Sequence, residues 1–158
     1  ALYAGARLLM DQAGVEAVDV LMLDIEGGEY EALRGATSLL AQPAASAPIV
    51  VFELHRSYVD WSDGVLATDV AALLTRVGYS LFAIRDFQGN VAMDGEPIEL
   101  VPVDDIYLEG PPHGFNVLAV KDTTSLDRLG DWRLRPGLSP KPLAHKDPAL
   151  HMPLTEAE

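Results

Sequence analysis

The spacing of apolar residues divides this chain into alternating strand and helix patterns. Four short apolar runs predict β-strands at residues 20–23, 49–54, 79–84 and 115–120. The first two runs contain no alternating polar residues, which predicts strands buried on both faces, as in a parallel sheet. Apolar residues at helical spacing predict helices at residues 2–13, 30–41 and 68–77. Because strands and helices alternate, we expect a parallel α/β sheet.

The segments without a periodic spacing of apolar residues set the limits of the predicted domain. Residues 91–114 are irregular and rich in Pro, Asp and Glu, and the tripeptide 88–90 predicts a turn. Beyond Asp122 the chain contains many prolines and little periodicity. We therefore expect one domain over residues 1–122 and an extended or partly disordered tail over residues 123–158, with at most short structure near its start.

Composition excludes several classes of function. The 158 residues contain no cysteine, which excludes disulfides, thiolate metal sites and a cysteine nucleophile. A net charge of −13 argues against binding to nucleic acid, which requires clustered Lys and Arg. No secretory signal and no apolar run of membrane length is present, so we expect a cytoplasmic protein without a membrane partner. The first residue is Ala1, which we interpret as the start of a fragment or of a processed product.

Acidic residues gather where the first two strands end. Asp24, Glu26 and Glu29 surround a Gly-Gly pair directly after the first strand. Glu53 ends the second apolar run, and His55 lies just beyond it. Neighbouring parallel strands are about 5 Å apart, and the carboxyl ends of such strands form the ligand-binding edge of an open α/β sheet. We therefore expect these side chains to converge on one site.

Three uses of this cluster remain open. The carboxylates are suited to deprotonating a hydroxyl, to hydrogen bonding with a polyhydroxylated substrate, or to binding a divalent cation together with His55. The structural alternatives are that Asp24 and Glu29 cap the following helix and that His55 is a solvated loop residue. Tyr58 and Trp61 either line an acceptor pocket or cover the core. The remaining histidines are assigned no role: His113, His145 and His151.

One motif resembles a known family. Residues 24–29 read Asp-Ile-Glu-Gly-Gly-Glu, with an aspartate five positions upstream and Leu-Arg-Gly-Ala at 33–36, and this is similar to the signature of FkbM-like methyltransferases. The resemblance continues through residues 48–55 and 73–79 and fades after about residue 122. The family usually has a lysine two residues before the aspartate, where this chain has Met22.

The resemblance implies a function and a fold. It implies an S-adenosylmethionine-dependent transfer of a methyl group to a hydroxyl of a small molecule or sugar, on a Rossmann-like class I methyltransferase sheet. It implies an acceptor-side role for Asp24, Glu26, Glu53 and His55, and it does not by itself supply a metal.

The same resemblance implies that the chain is half of a domain. In this family the first strand of seven leads into a glycine-rich loop that holds the cofactor, and no G-x-G follows an apolar strand here. The four predicted strands are similar to the fourth to seventh strands, so we interpret the chain as the C-terminal half and assign no cofactor-binding residue. The alternative is a non-catalytic remnant or interaction module whose open sheet edge at residues 20–23 pairs with another chain, either an N-terminal half or a second copy.

Overall fold

The computed structural model describes residues 10, 12–86, 95–108, 114–141 and 147. Its strands are β1 (Val20–Leu23), β2 (Ile49–His55), β3 (Ser80–Arg85), β4 (Ile98–Pro102), β5 (Gly114–Val120) and β6 (Trp132–Leu134). Its α-helices are α1 (Glu29–Gly35), α2 (Thr37–Leu40) and α3 (Asp69–Arg76), and 3₁₀ turns cover Val65–Ala67, Val103–Asp105 and Thr123–Leu129. None of the described helices is long and apolar enough to cross a membrane.

The six strands form one mixed sheet in the order β1-β2-β5-β3-β4-β6. β1 pairs with β2 in parallel, and β4 pairs with β6 in parallel. β5 lies between β2 and β3 and is antiparallel to both, and β4 is antiparallel to β3. The prediction of a mostly parallel sheet is therefore wrong, although β1, β2 and β3 do run in one direction. β4 and β5 flank β3 as antiparallel neighbours, which need no helical crossover.

Apolar clusters cover both faces of the sheet. On the main face, α1, α2 and α3 pack against the strands through fully buried side chains that include Leu33, Leu40, Phe52, Leu54, Leu74 and Phe115. The second face carries a smaller cluster that comprises Ile49, Phe82, Leu100, Leu118, Val120 and Leu126.

β1 is an edge strand, which corrects the prediction that it is buried on both faces. Val20 and Met22 project from one face and are 54% and 69% exposed. Leu21 and Leu23 project from the other face and pack against the main core. No other strand among the described residues pairs with the outer edge of β1. A short apolar run therefore predicts that a strand forms, but it does not predict whether that strand lies at the centre or at the edge of the sheet.

The helix boundaries follow local sequence signals. α3 begins after Thr68, whose hydroxyl accepts a hydrogen bond from the Ala71 N–H at 3.4 Å, and Gly78 follows its end at a φ of +92°. The helix predicted at 30–41 is present as α1 and α2, with a break at Ala36. Most of the helix predicted at residues 2–13 and the turn predicted at 88–90 lie outside the described residues.

The chain after β3 is more ordered than its sequence pattern predicts. β4 forms within the stretch predicted to be irregular. The sequence predicts an extended tail after Asp122, whereas residues 123–141 pack on the sheet and include β6. The buried Arg85 donates from Nε to the Ser139 carbonyl at 3.1 Å, and the Asp86 N–H donates to the Pro140 carbonyl at 2.9 Å. These long-range hydrogen bonds hold a segment that has no periodicity of its own. His113, His145 and His151 lie outside the described residues.

Candidate active site

The loop that follows β1 is a tight acidic turn. Gly28 N–H donates to the Ile25 carbonyl at 3.3 Å and closes the turn, and Glu26 and Gly27 adopt φ values of +55° and +96°. Among the described residues, Glu26 is the only one other than glycine with a positive φ. Such conformations cost free energy, so they persist only where the surrounding structure holds them in place, and they cluster at functional sites.

Glu29 holds this turn in place. Its side chain is buried, and its Oε1 accepts a hydrogen bond from the Ile25 N–H at 2.9 Å. The residue that caps α1 is Gly28, and no side chain caps that helix end. Asp24 is thus not the helix cap that the structural alternative proposed, whereas Glu29 does have a structural role in fixing the loop.

Glu53 and His55 are the last polar residues of β2 and lie opposite β5. Glu53 pairs with Asn116 and His55 pairs with Gly114. A Cβ atom built on Gly114 would lie 2.7 Å from Glu53 Oε1 and 3.0 Å from His55 Cδ2. The glycine therefore leaves the space that these two side chains occupy. The register of β1 with β2, in which Leu23 pairs with Phe52, places Asp24 next to Glu53.

The Glu53 carboxylate experiences the field of its acidic neighbours. Burial raises its pKa most, the charge of Asp24 raises it further, and Glu26 and Glu29 add to the increase. The positive form of His55 acts in the opposite direction. A carboxylate whose pKa is raised by burial and like charges binds a proton more readily at neutral pH, which is what a general base requires.

One ring nitrogen of His55 is engaged by the backbone that follows β2. Its Nδ1 accepts a hydrogen bond from the Ser57 N–H at 3.1 Å. The neutral imidazole therefore carries its proton on Nε2, where it is available to donate to a bound oxygen atom. The ring also packs against Tyr58, with 5.4 Å between the centroids.

The structure assigns different roles to the two aromatic residues that the sequence placed either at an acceptor pocket or over the core. Trp61 packs against Phe115, with ring centroids 5.5 Å apart, and belongs to the margin of the main core. Tyr58 is half-exposed and lines a cavity beside Gly27. The neighbouring Glu26 carboxylate raises the pKa of Tyr58, first through hydrogen bonding and then through its charge.

The cavity has a volume of about 470 Å³ and is lined by the start of α1, the end of β2 with the loop after it, and the start of α3. Its lining comprises Gly27, Glu29, Tyr30, Glu31, Glu53, Leu54, Tyr58, Val59, Asp60, Ala67, Thr68, Asp69 and Val70. Of the four residues predicted for the site, Glu53 lines this cavity, whereas Asp24, Glu26 and His55 surround Glu53 without lining it.

Sequence reasoning missed Asp60, Thr68 and Asp69 as lining residues. Thr68 and Asp69 lie at the start of the helix predicted at residues 68–77, and that helix start is also one wall of the cavity. Within the described ranges, no three His, Asp or Glu side chains are grouped closely enough to hold a metal ion.

Comparison with known proteins gives one match. Residues 6–81 match the family model of the methyltransferase FkbM domain. This range contains β1, the acidic turn, β2 and α3, and therefore every residue that the sequence placed in the site. No curated protein and no solved structure matches the chain.

Proposed function

We propose an enzymatic role for this chain, because residues 6–81 match the family model of the methyltransferase FkbM domain, the family that the acidic motif predicted. It forms the acceptor side of a cytoplasmic methyltransferase that moves a methyl group from S-adenosylmethionine to a hydroxyl of a small molecule or sugar. The observation that carries this proposal is the placement of Glu53, which lines the cavity and has a raised pKa beside Asp24.

In this proposal Glu53 is the general base. It accepts the proton of the acceptor hydroxyl, so that the oxygen becomes the nucleophile, and it later returns the proton to solvent through the open cavity. Asp24 and Glu26 maintain the field that keeps the affinity of Glu53 for a proton high. His55 lies beside Glu53 outside the cavity lining, and on the acceptor side it serves as a positioning residue whose positive form limits the rise in the pKa of Glu53. Alignment of the acceptor in the cavity supplies the rest of the rate enhancement.

The described residues do not fit the cofactor itself. S-adenosylmethionine carries a carboxylate, whereas five of the residues that line the cavity are acidic and none of these described residues is Lys or Arg. No glycine-rich loop follows β1, and its turn presents carboxylates instead. We therefore assign cofactor binding to a part of the domain that the described residues do not form.

The edge of β1 is where we expect that part of the domain to dock. The outer edge of β1 lacks a paired strand among the described residues, and Val20 and Met22 are exposed beside it. An open apolar edge is a template for another strand. This supports the interpretation of the chain as the C-terminal half of a Rossmann-like sheet. The same edge supports the second candidate function, a non-catalytic module that pairs with another chain.

A calorimetric titration with S-adenosylmethionine, followed by a transfer assay, distinguishes these candidates. The full-length protein should bind the cofactor and transfer its labelled methyl group to hydroxylated acceptors, tested as a panel of neutral glycosides and hydroxylated aromatic compounds. Binding without a labelled product across the panel would count against methyl transfer to a hydroxyl. Absence of cofactor binding by the full-length protein would favour the interaction module.

A further inference from the structure

Tyr58 connects the two loops that carry the acidic side chains. A Cβ atom built on Gly27 would lie 2.8 Å from Tyr58 Cγ, so the Tyr58 ring lies directly against the backbone of the β1 loop. On its other side the ring contacts His55 at the end of β2, with 5.4 Å between the centroids. The ring is therefore fixed in orientation on one side, while its half-exposed surface faces the cavity.

A fixed aromatic ring among carboxylates matches one shape of ligand. A flat apolar wall accepts the apolar face of a ring, and carboxylates accept hydrogen bonds from hydroxyl groups that surround such a ring. Open-chain polyols present no such face. Anionic ligands are disfavoured, because Glu29, Glu53, Asp60 and Asp69 line the same space and like charges repel.

We propose that Tyr58 determines the specificity of the acceptor cavity and selects an uncharged, cyclic polyol. This inference rests on the proposed function, since it specifies which hydroxyl compounds the site takes. Tyr58 contacts the ring of the acceptor, and Glu53 contacts the hydroxyl that reacts. Contacts with the Gly27 backbone and with His55 hold the ring in place, so the ring rather than the hydroxyl makes the larger contribution.

Ligand-observed NMR on the full-length protein tests this proposal with three probes: methyl α-D-glucopyranoside, sorbitol and glucose 6-phosphate. The wild-type protein should bind the pyranoside more tightly than sorbitol, and both more tightly than the phosphate. Tyr58→Leu should weaken pyranoside binding about tenfold and remove the preference over sorbitol, because it removes the aromatic face. Tyr58→Phe should retain that preference within about threefold. Tyr107→Leu, which lies outside the cavity lining, is the matched control.

The outcomes separate this inference from the function on which it rests. An unchanged preference for the pyranoside in Tyr58→Leu, with a thermal melt like that of the wild type, would overturn the role of Tyr58. Binding of the phosphate as tight as that of the pyranoside would overturn the uncharged class. Methyl transfer to a non-cyclic acceptor would overturn the cyclic class and leave the proposed function intact. A protein that shows the pyranoside preference but binds no S-adenosylmethionine would instead refute the proposed function.

Discussion

Replacement of Glu53 by glutamine should stabilise the fold at neutral and alkaline pH. Glu53 is partly buried close to Asp24, Glu26 and Glu29, and these surroundings raise its pKa in the folded state. Glutamine keeps the shape of the side chain and removes the charge. The wild-type protein should therefore carry an electrostatic penalty that the variant lacks.

The sign and size of the effect follow from proton linkage. Below the ordinary glutamate pKa of 4.5, Glu53 is protonated in both the folded and unfolded states, and the penalty is absent. As the pH rises, Glu53 loses its proton first in the unfolded state, where its pKa is lower, and only later in the folded state. The free energy of unfolding therefore decreases as the pH rises through these two pKa values. Because Glu53 is still partly in contact with solvent, screening limits the difference to about 0.5–1 kcal/mol. This corresponds to an increase of about 1–4 °C in melting temperature at pH 8.

Thermal melts of the variant and the wild type at pH 4 and pH 8 measure this effect. Glu16→Gln is the matched control, because it removes the same charge from an exposed position before β1. We expect Glu53→Gln to exceed both the wild type and the control at pH 8 and to match them at pH 4. Equal melting temperatures for the two variants at pH 8 would refute local repulsion at Glu53. A lower melting temperature for Glu53→Gln would show that Glu53 makes a net stabilising contact.

Two substitutions and one measurement on the unmodified 158-residue chain test other parts of the structure. Gly114→Ala should leave the melting temperature nearly unchanged but lower methyl transfer by about 10²-fold, because its Cβ displaces the Glu53 carboxylate. Gly35→Ala is the control, since the space around its Cβ position is open, and the same turnover in both variants would contradict this prediction. Arg85→Met should lower the free energy of unfolding by about 3 kcal/mol and expose residues 135–141 to limited proteolysis, because the buried guanidinium donates to Glu99 at 2.7 Å and to Ser139. A cleavage pattern like that of the wild type would contradict this prediction. The 158-residue chain alone should bind S-adenosylmethionine weakly or not at all in calorimetry and should self-associate in sedimentation, and a tight complex or a single monomeric species would count against the half-domain interpretation.

Strong local signals predicted much of the fold. β1, β2, β5 and α3 lie within one or two residues of their predicted positions, because apolar runs, a threonine cap and a following glycine act over short distances. The direction and order of strands depend on contacts between distant segments. The position of β5 between β2 and β3 could therefore not be predicted from local sequence patterns. β6 has three residues, and it forms because β4 pairs with it.

The candidate site was predictable in part for a similar reason. The carboxylates after β1 and the position of Glu53 follow from the rule that parallel strand ends converge, and the register of β1 with β2 places Asp24 beside Glu53. The cavity wall that Thr68 and Asp69 form depends on where the N-terminus of α3 lies relative to β2, which no spacing in the sequence gives. The contact of Tyr58 with Gly27 is likewise a consequence of the folded loops.

Methyl transfer by the full-length protein with Glu53→Gln tests the central claim most directly. The measurement is the rate of labelled methyl incorporation from S-adenosylmethionine into a hydroxyl acceptor, together with cofactor affinity and the thermal melt, for the wild type, Glu53→Gln and Glu16→Gln. We expect Glu53→Gln to lower turnover by about 10²-fold, with cofactor affinity and folding retained and with the control at the wild-type rate. Turnover of Glu53→Gln near the wild-type rate would contradict the assignment of Glu53 as the base that accepts the proton of the acceptor.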